Sequence, residues 1–166
     1  LLLQNLNMFH IQPDIKNYYK NKFKFVLVDE YQDTNLCQYQ WLQNIVNKNQ
    51  NICVVGDDDQ SIYSWRGAEV KNIFKFEKEY DEVKVIKLEK NYRSKANILN
   101  AANFLISNNK NRMGKDLWTD DDAGEKIEII NVNNNEEEAT YISDKIEELL
   151  SSGVLLESFA ILVRAS

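Results

Sequence analysis

Residues 23–30 read Phe-Lys-Phe-Val-Leu-Val-Asp-Glu, an apolar run that ends in two carboxylates. Its length and its aromatic and β-branched content predict a strand over 23–28. Residues 51–55 predict a second buried strand, which leads into Gly56 and three aspartates. Between the two strands, residues 35–48 place apolar side chains at helical spacing, with Thr34 or Asn35 available as the N-cap. A strand, a helix and a strand in this order are typical of a parallel α/β sheet.

The alternation of strands and helices continues through the rest of the chain. The predicted elements are strands at 83–88, 126–132 and 159–163, and helices at 70–80, 94–107 and 136–150. Gly153 is expected to end the last helix in the left-handed conformation. Residues 108–125 are polar and are expected to form a long surface loop. The pattern indicates an α/β fold with parallel sheets flanked by helices.

Composition narrows the class of protein. The chain has 166 residues and a formal net charge of −6, which argues against a simple basic nucleic-acid binder. It has no run near the roughly 20 apolar residues of a membrane span and no signal-peptide layout at its start. We therefore expect an intracellular protein without a membrane partner, located in the cytoplasm or nucleoid of a bacterium or in the nucleus or an organelle of a eukaryote.

The carboxylates at the strand ends are candidate functional groups, because ligands of open α/β sheets gather beyond the carboxyl ends of the strands. Asp29 could hold Mg²⁺, which prefers hard oxygen ligands. Glu30 could orient and deprotonate a water molecule that attacks a phosphoryl group. The alternative is a polar turn without chemistry, and the residues 29–30 alone do not decide between the two.

Three longer strings narrow the choice. Residues 29–35 read Asp-Glu-Tyr-Gln-Asp-Thr-Asn, residues 56–68 read Gly-Asp-Asp-Asp-Gln-Ser-Ile-Tyr-Ser-Trp-Arg-Gly-Ala, and residues 88–94 read Leu-Glu-Lys-Asn-Tyr-Arg-Ser. In order and spacing they resemble motifs II, III and IV of the superfamily 1 DNA helicases, the group that contains UvrD, Rep and PcrA. Residues 159–164 resemble a strand of the second motor lobe in that family. The resemblance covers essentially the whole chain.

The resemblance implies a fold and a domain division. Both motor domains of the family are RecA-like, with parallel sheets flanked by helices, and this chain would contain parts of two of them. Residues 1–87 would be the C-terminal part of the first motor domain, with motifs II and III. Residues 88–166 would be the N-terminal part of the second motor domain, with motif IV.

The resemblance also assigns roles at an ATP site. Asp29 would be the Mg²⁺ ligand, and Glu30 would be the base that activates water. Gln60 would contact the γ-phosphate, and Tyr92 would stack on the adenine. Arg93 would be the arginine finger, a group worth about 10³–10⁵ in rate.

Aromatic side chains in the second string point to DNA. Tyr63 and Trp65 alternate on a segment expected to be extended, and the alternative is that they are ordinary core aromatics. In the resembling family such rings stack on bases of single-stranded DNA, at about 1–3 kcal/mol per base. Arg66 would tie this loop to the nucleotide site. The expected partners are single-stranded DNA and junctions of single- and double-stranded DNA.

The implied activity is that of an ATP-dependent 3′–5′ DNA helicase or translocase in DNA repair or replication. Gly114 and Lys115 do not form a phosphate loop, because that motif needs Gly at 109 and Ser or Thr at 116. We therefore expect a fragment that is inactive alone and works with the remainder of a helicase chain. Three alternatives stay open: the motor of a helicase–nuclease, a non-catalytic single-stranded DNA-binding module, and a Mg²⁺ nuclease built from the acidic clusters.

Overall fold

The computed structural model describes residues 1–47, 49 and 51–163. They form two compact units, one within Leu1–Gly124 and the other within Glu125–Ser166. The helices and strands are α1 (Leu2–Ile11), α2 (Pro13–Lys22), β1 (Val26–Val28), α3 (Leu36–Ile45), β2 (Ile52–Val54), α4 (Lys71–Glu79), α5 (Ala96–Ile106) and α6 (Asn135–Ser151). Single 3₁₀ turns occur at Tyr31–Asp33, Asp58–Gln60, Ser64–Arg66 and Leu156–Ser158.

The centre of the first unit is the parallel pair of β1 and β2. Val26 lies opposite Ile52, and Val28 lies opposite Val54. Two further backbone bonds continue the contact beyond the strands: Val55 N donates to Val28 O at 2.8 Å, and Tyr31 N donates to Val55 O at 2.9 Å. The carboxyl ends of both strands therefore lie side by side, and the parallel direction of the strands is the one predicted.

Helix α3 connects the two strands, and its start is fixed by side-chain bonds. Asn35 is the N-cap: its side chain accepts from Gln38 N, while the Gln38 side chain accepts from Asn35 N. This reciprocal capping box satisfies two backbone donors that a helix start leaves without partners. Of the two predicted caps, Asn35 is therefore the one used. The predicted end of this helix, Lys48, lies outside the described residues.

The core beside the strands is aromatic. Tyr31, Ile73 and Phe76 are buried together, and partly buried apolar side chains from both strands, α3 and α4 surround them. The Phe76 ring stacks on Tyr80 with centroids 4.6 Å apart and meets Tyr31 edge-on at 5.9 Å. Met113 also packs here, so the polar segment 108–125 has an apolar anchor in this core. Tyr31 belongs to the turn after β1, so the core also supports the loop that follows the first strand.

Three predicted strands are wrong. Residues 83–88, 126–132 and 159–163 are described, and none of them forms a strand. A strand exists only where its backbone N–H and C=O groups pair with a neighbour, and an apolar run does not guarantee that neighbour. Residues 83–88 line a cavity together with β2 instead of pairing with it. The fold is α/β, and the described residues contain one two-stranded sheet.

The second unit is built around α6. The Asn134 side chain accepts from Glu137 N and caps the helix start. Gly153 follows the helix end with φ of +98°, which confirms the predicted left-handed stop. A 3₁₀ turn at Leu156–Ser158 follows. Among the described residues, no helix combines the length and the apolar character that crossing a membrane requires.

Replacing Phe76 with Ala tests the aromatic core. We expect a loss of about 3–5 kcal/mol in the free energy of unfolding, because the truncation removes both ring contacts and leaves a cavity. Urea denaturation followed by circular dichroism measures it. Phe104→Ala is the matched control, because Phe104 is 78% exposed and its loss should change stability by less than about 0.5 kcal/mol. Equal stability of the two variants would contradict the assignment of this core.

Candidate active site

The loop after β1 presents two carboxylates in a constrained backbone. Glu30 has φ of +50° and ψ of 44°, a left-handed conformation that is uncommon for a residue with a side chain. Its N–H donates to Asp29 Oδ1 at 2.9 Å. The chain then enters the 3₁₀ turn Tyr31–Asp33, whose first residue is buried in the core. Strained backbone of this kind persists only where the surroundings hold it, and it occurs often at functional sites.

One buried side chain joins this loop to the loop after β2. Gln32 is 1% exposed. Its Nε2 donates to Glu30 Oε2 at 2.7 Å, and its Oε1 accepts from Asp57 N at 2.9 Å. The adjacency of the two strand ends places both partners within reach of one amide.

The loop after β2 is organised by Asp57. Its Oδ1 accepts from Asp59 N at 3.1 Å, and its Oδ2 accepts from Gln60 Nε2 at 2.5 Å. Lys115 forms an ion pair with the same carboxylate. Burial alone would raise the pKa of Asp57, but hydrogen bonds from Lys115 and Gln60, together with the charge of Lys115, lower it below its ordinary value of 3.8. Asp57 is therefore held ionised at neutral pH.

The other two aspartates of the triplet also bind the segment 112–115. Arg112 makes a two-bond contact with Asp59, from Nε to Oδ1 at 2.9 Å and from Nη2 to Oδ2 at 2.6 Å. Met113 N donates to Asp58 Oδ2 at 2.7 Å. Asp57, Asp58 and Asp59 are the group of described acidic residues whose oxygens lie close enough to share a metal ion. In this structure the triplet is held by two ion pairs, at Asp57 and Asp59, and by one backbone hydrogen bond at Asp58.

Tyr63, Trp65 and Arg66 form a compact, exposed cluster on the segment that follows Gln60. Trp65 is 73% exposed and Tyr63 is 37% exposed, with ring centroids 6.5 Å apart. The Arg66 guanidinium carbon lies 5.0 Å from the Tyr63 centroid and 4.5 Å from that of Trp65, within the range of cation–π attraction. The expected extended segment is wrong: Ser64–Arg66 is a 3₁₀ turn, which Gly67 ends at φ of +83°. The turn lets one cation face both rings.

The segment before α5 carries the last two candidates. Asn91 Oδ1 accepts from the backbone N–H groups of Arg93 and Ser94, both at 2.8 Å, and this turn delays the helix start to Ala96. The Tyr92 ring is 85% exposed, and Lys90 Nζ lies 5.3 Å from its centroid. The Arg93 guanidinium makes no ion pair within the described part of the chain.

Comparison with known proteins agrees with the three strings. Residues 1–81 match the UvrD/REP helicase N-terminal domain, and residues 86–166 match the UvrD-like helicase C-terminal domain. DNA helicase II of Rickettsia typhi is 52% identical over 166 residues, which cover 99% of this chain and 25% of that protein. The ATP-dependent DNA helicase PcrA is 46% identical in Staphylococcus epidermidis and 45% identical in Staphylococcus aureus, over 100% of this chain and 23% of each relative.

The chain belongs to the UvrD/PcrA-type DNA helicase family. It spans about a quarter of the length of the curated relatives that it matches.

Within this UvrD-type chain, the structure brings some of the predicted site residues together. A continuous series of hydrogen bonds runs from Glu30 through Gln32 and Asp57 to Gln60. Asp29 joins the series through Glu30 N. The described contacts place Tyr92 and Arg93 outside this series, on their own turn. The roles assigned to all of these residues stay predictions.

Sequence reasoning missed Gln32, Arg112 and Lys115. Gln32 stands inside the motif II string, but nothing in a linear motif indicates that its amide reaches a second loop. Arg112 and Lys115 lie in a segment predicted only as surface loop, more than fifty residues from the aspartates that they bind. The available signal was charge: three adjacent aspartates need cations, and this loop offers two within four residues.

The donor set after β1 fits the Mg²⁺–nucleotide group that the family implies. Asp29, Glu30 and Asp33 line one cavity. Asp29 keeps one carboxylate oxygen without a protein partner in the described chain, and Asp33 Oδ1 is buried without a hydrogen bond. Carboxylate oxygens are the ligands that Mg²⁺ prefers. Asp29 would therefore be suited to hold the ion, and Asp33 lines the same cavity.

Replacing Lys115 with Met tests the Asp57 ion pair. We expect a loss of about 1–3 kcal/mol in the free energy of unfolding at pH 7, because a mostly buried carboxylate loses its cation. A carboxyl whose pKa is lowered by folding stabilises the protein above its ordinary pKa, and that contribution is lost as pH falls through the lowered value. The difference between variant and wild type should therefore shrink below pH 3.8.

Urea denaturation between pH 7 and pH 3 measures this dependence. Lys110→Met is the matched control, because Lys110 is an exposed lysine of the same loop. It should leave stability unchanged at every pH. A Lys115→Met difference that stays constant across the range would contradict an ionised Asp57 as its cause.

Proposed function

We propose that this chain is the central segment of an ATP-dependent 3′–5′ DNA helicase or translocase, which couples ATP hydrolysis to movement along single-stranded DNA and to duplex unwinding. One observation carries the proposal. The hydrogen-bonded series from Glu30 to Gln60 joins a hydrolytic carboxylate to a loop whose next residues include two exposed aromatic rings. A hydrolysis site and a base-stacking surface on one short segment are what such coupling requires.

The proposed hydrolytic roles follow from the chemistry of each group. Asp29 holds Mg²⁺, which neutralises charge on the phosphates when bound. Glu30 accepts the proton of the attacking water, because its carboxylate is fixed by Gln32 yet lines an open cavity. Gln60 has an amide that can leave Asp57 and donate to a γ-phosphate oxygen. Arg93, which no described carboxylate pairs, is free to stabilise transition-state charge, and Tyr92 has an exposed ring for the adenine.

The proposed DNA contact is the aromatic cluster of Tyr63, Trp65 and Arg66. Single-stranded nucleic acid binds to exposed rings by stacking, which tolerates any base sequence. Arg66 lies against both rings and adds positive charge beside them, where a phosphate backbone would pass. The net charge of −6 does not oppose this contact, because the nearby aspartates are paired with Arg112 and Lys115.

The proposed architecture divides the chain between two RecA-like motor domains, residues 1–87 and 88–166. The two family matches meet between residues 81 and 86, which supports a boundary in this region. Activity would need the remainder of the helicase chain, and single-stranded DNA and its junctions with duplex would be the substrates. Action in DNA repair or replication implies an intracellular location. The names of the relatives, DNA helicase II and PcrA, support this assignment.

Replacing Glu30 with Gln in the complete helicase tests the hydrolytic role. We expect kcat for DNA-stimulated ATP hydrolysis to fall by about 10²–10⁴, because the amide cannot take the proton of water. ATP binding should persist, since the amide oxygen can still accept from Gln32. Steady-state ATPase assays and titration with a fluorescent ATP analogue measure the two effects.

The control for this change is Glu138→Gln, which removes the same charge from an exposed position of α6. It should hydrolyse ATP at the wild-type rate. Wild-type turnover by Glu30→Gln would overturn the role given to Glu30.

Replacing Trp65 with Ala in the complete helicase tests the DNA contact. The loss of one stacking ring should weaken single-stranded DNA binding by about 1–3 kcal/mol, which is roughly 5- to 150-fold in Kd. Stability should change little, because the ring is 73% exposed. Fluorescence anisotropy with labelled oligonucleotides measures Kd, and Phe104→Ala removes an equally exposed ring as control. Unchanged DNA affinity and unwinding in Trp65→Ala would contradict the assignment.

A further inference from the structure

Gln32 is a buried polar side chain that bonds to the proposed base, Glu30, and that has been given no role of its own so far. It is 1% exposed, and it is one of the two most completely buried large side chains among the described residues. Both ends of its amide are bonded, Nε2 to the Glu30 carboxylate at 2.7 Å and Oε1 to the Asp57 N–H at 2.9 Å. A buried amide is costly unless both ends are satisfied, so this side chain has one defined orientation.

The surroundings of Gln32 are shaped to hold that orientation. A methyl group placed on Gly56 would lie 2.8 Å from Gln32 Oε1 and 3.3 Å from Gln32 N. Gly56 has no positive φ, so its backbone conformation does not require glycine. The absence of a side chain at this position instead leaves room for Gln32 to come close. On the other side, the Glu30 backbone has φ of +50°, and the hydrogen bond from Gln32 helps to keep the carboxylate in that constrained position.

The second bond of Gln32 extends its reach to the loop after β2. It holds the backbone of Asp57, whose carboxylate binds the Gln60 amide. When the Gln60 side chain moves away from Asp57, the Asp57 carboxylate loses a hydrogen bond, and the backbone of the same residue is bonded to Gln32. The amide that orients Glu30 is thus also bonded to the loop that would contact the γ-phosphate.

We propose that Gln32 is a positioning residue that orients the Glu30 carboxylate for attack by water and couples it to the Gln60 loop. The proposal rests on the hydrolytic role given to Glu30 above. It assigns no chemical step to Gln32, which neither gains nor loses a proton. Gln32 is therefore expected to affect kcat for ATP hydrolysis and not the affinity for ATP.

Gln32→Glu in the complete helicase separates the two bonds. A glutamate can still accept from Asp57 N, but it offers an acceptor and a negative charge to Glu30 where a donor stood. We expect kcat for DNA-stimulated ATP hydrolysis to fall by about 10²-fold, as for other misplaced catalytic groups, while KM for ATP changes by less than about threefold. Gln40→Glu is the control, an exposed glutamine of α3 with the same charge change, and should be fully active.

A double exchange distinguishes positioning from simple support of the fold. Glu30→Gln combined with Gln32→Glu restores a donor opposite an acceptor, with their positions swapped. It should regain the Tm lost in Gln32→Glu and bind ATP, yet remain unable to hydrolyse it. An exchange variant no more stable than Gln32→Glu would overturn the proposed hydrogen bond.

Gly56→Ala gives an independent test that changes no polar group. The added methyl displaces the Gln32 amide, so we expect the same selective loss of kcat at nearly constant KM. If Gln32→Glu and Gly56→Ala both keep wild-type kcat while Glu30→Gln does not, the role of Gln32 is overturned and the proposed function stands. If the Glu30→Gln variant hydrolyses ATP at the wild-type rate, both the role of Gln32 and the proposed hydrolytic role of Glu30 are overturned.

Discussion

Parallel pairing of β1 with β2 is the contact on which the rest of the first unit depends. The pairing continues past the strands through Val55 N to Val28 O and Tyr31 N to Val55 O. Because parallel strands end at the same edge, two acidic loops from separate parts of the chain meet there. Tyr31 then enters the aromatic core with Phe76, so the geometry of the first loop is tied to the packing of α4.

The charges at this edge are arranged so that each carboxylate has a different environment. Asp29 and Glu30 line a cavity, and Glu30 is held by one neutral amide. Asp57 and Asp59 are mostly buried against Lys115 and Arg112. Carboxylates this close would repel one another without such partners. The cations on the segment 112–115 therefore allow an acidic sheet edge to exist, while Asp29 and Glu30 make no ion pair within the described part of the chain.

Local patterns predicted the elements that need no distant partner. Helices α3, α4, α5 and α6 appear where apolar spacing placed them, and the Gly153 stop follows from the properties of that residue alone. The cap of α3 is one of the two residues that the sequence offered, and the structure decides for Asn35. The predicted strands at 83–88, 126–132 and 159–163 failed for the opposite reason. An apolar run specifies an extended preference, but the strand is completed only by a neighbour's backbone groups.

The sequence by itself determined the family and the candidate residues, because motif order and residue type are properties of the chain. It predicted Asp29, Glu30 and Gln60 as residues of an ATP site, and it marked Tyr63 and Trp65 as unusual neighbours for charged groups. Only the tertiary structure decided that Gln32 joins Glu30 to Asp57, and that Lys115 and Arg112 neutralise the aspartate loop. The contacts of Asp57 with Gln32 and Lys115 and of Asp59 with Arg112 span 25 to 58 residues along the chain, and no local preference encodes which distant groups the fold brings within hydrogen-bond distance.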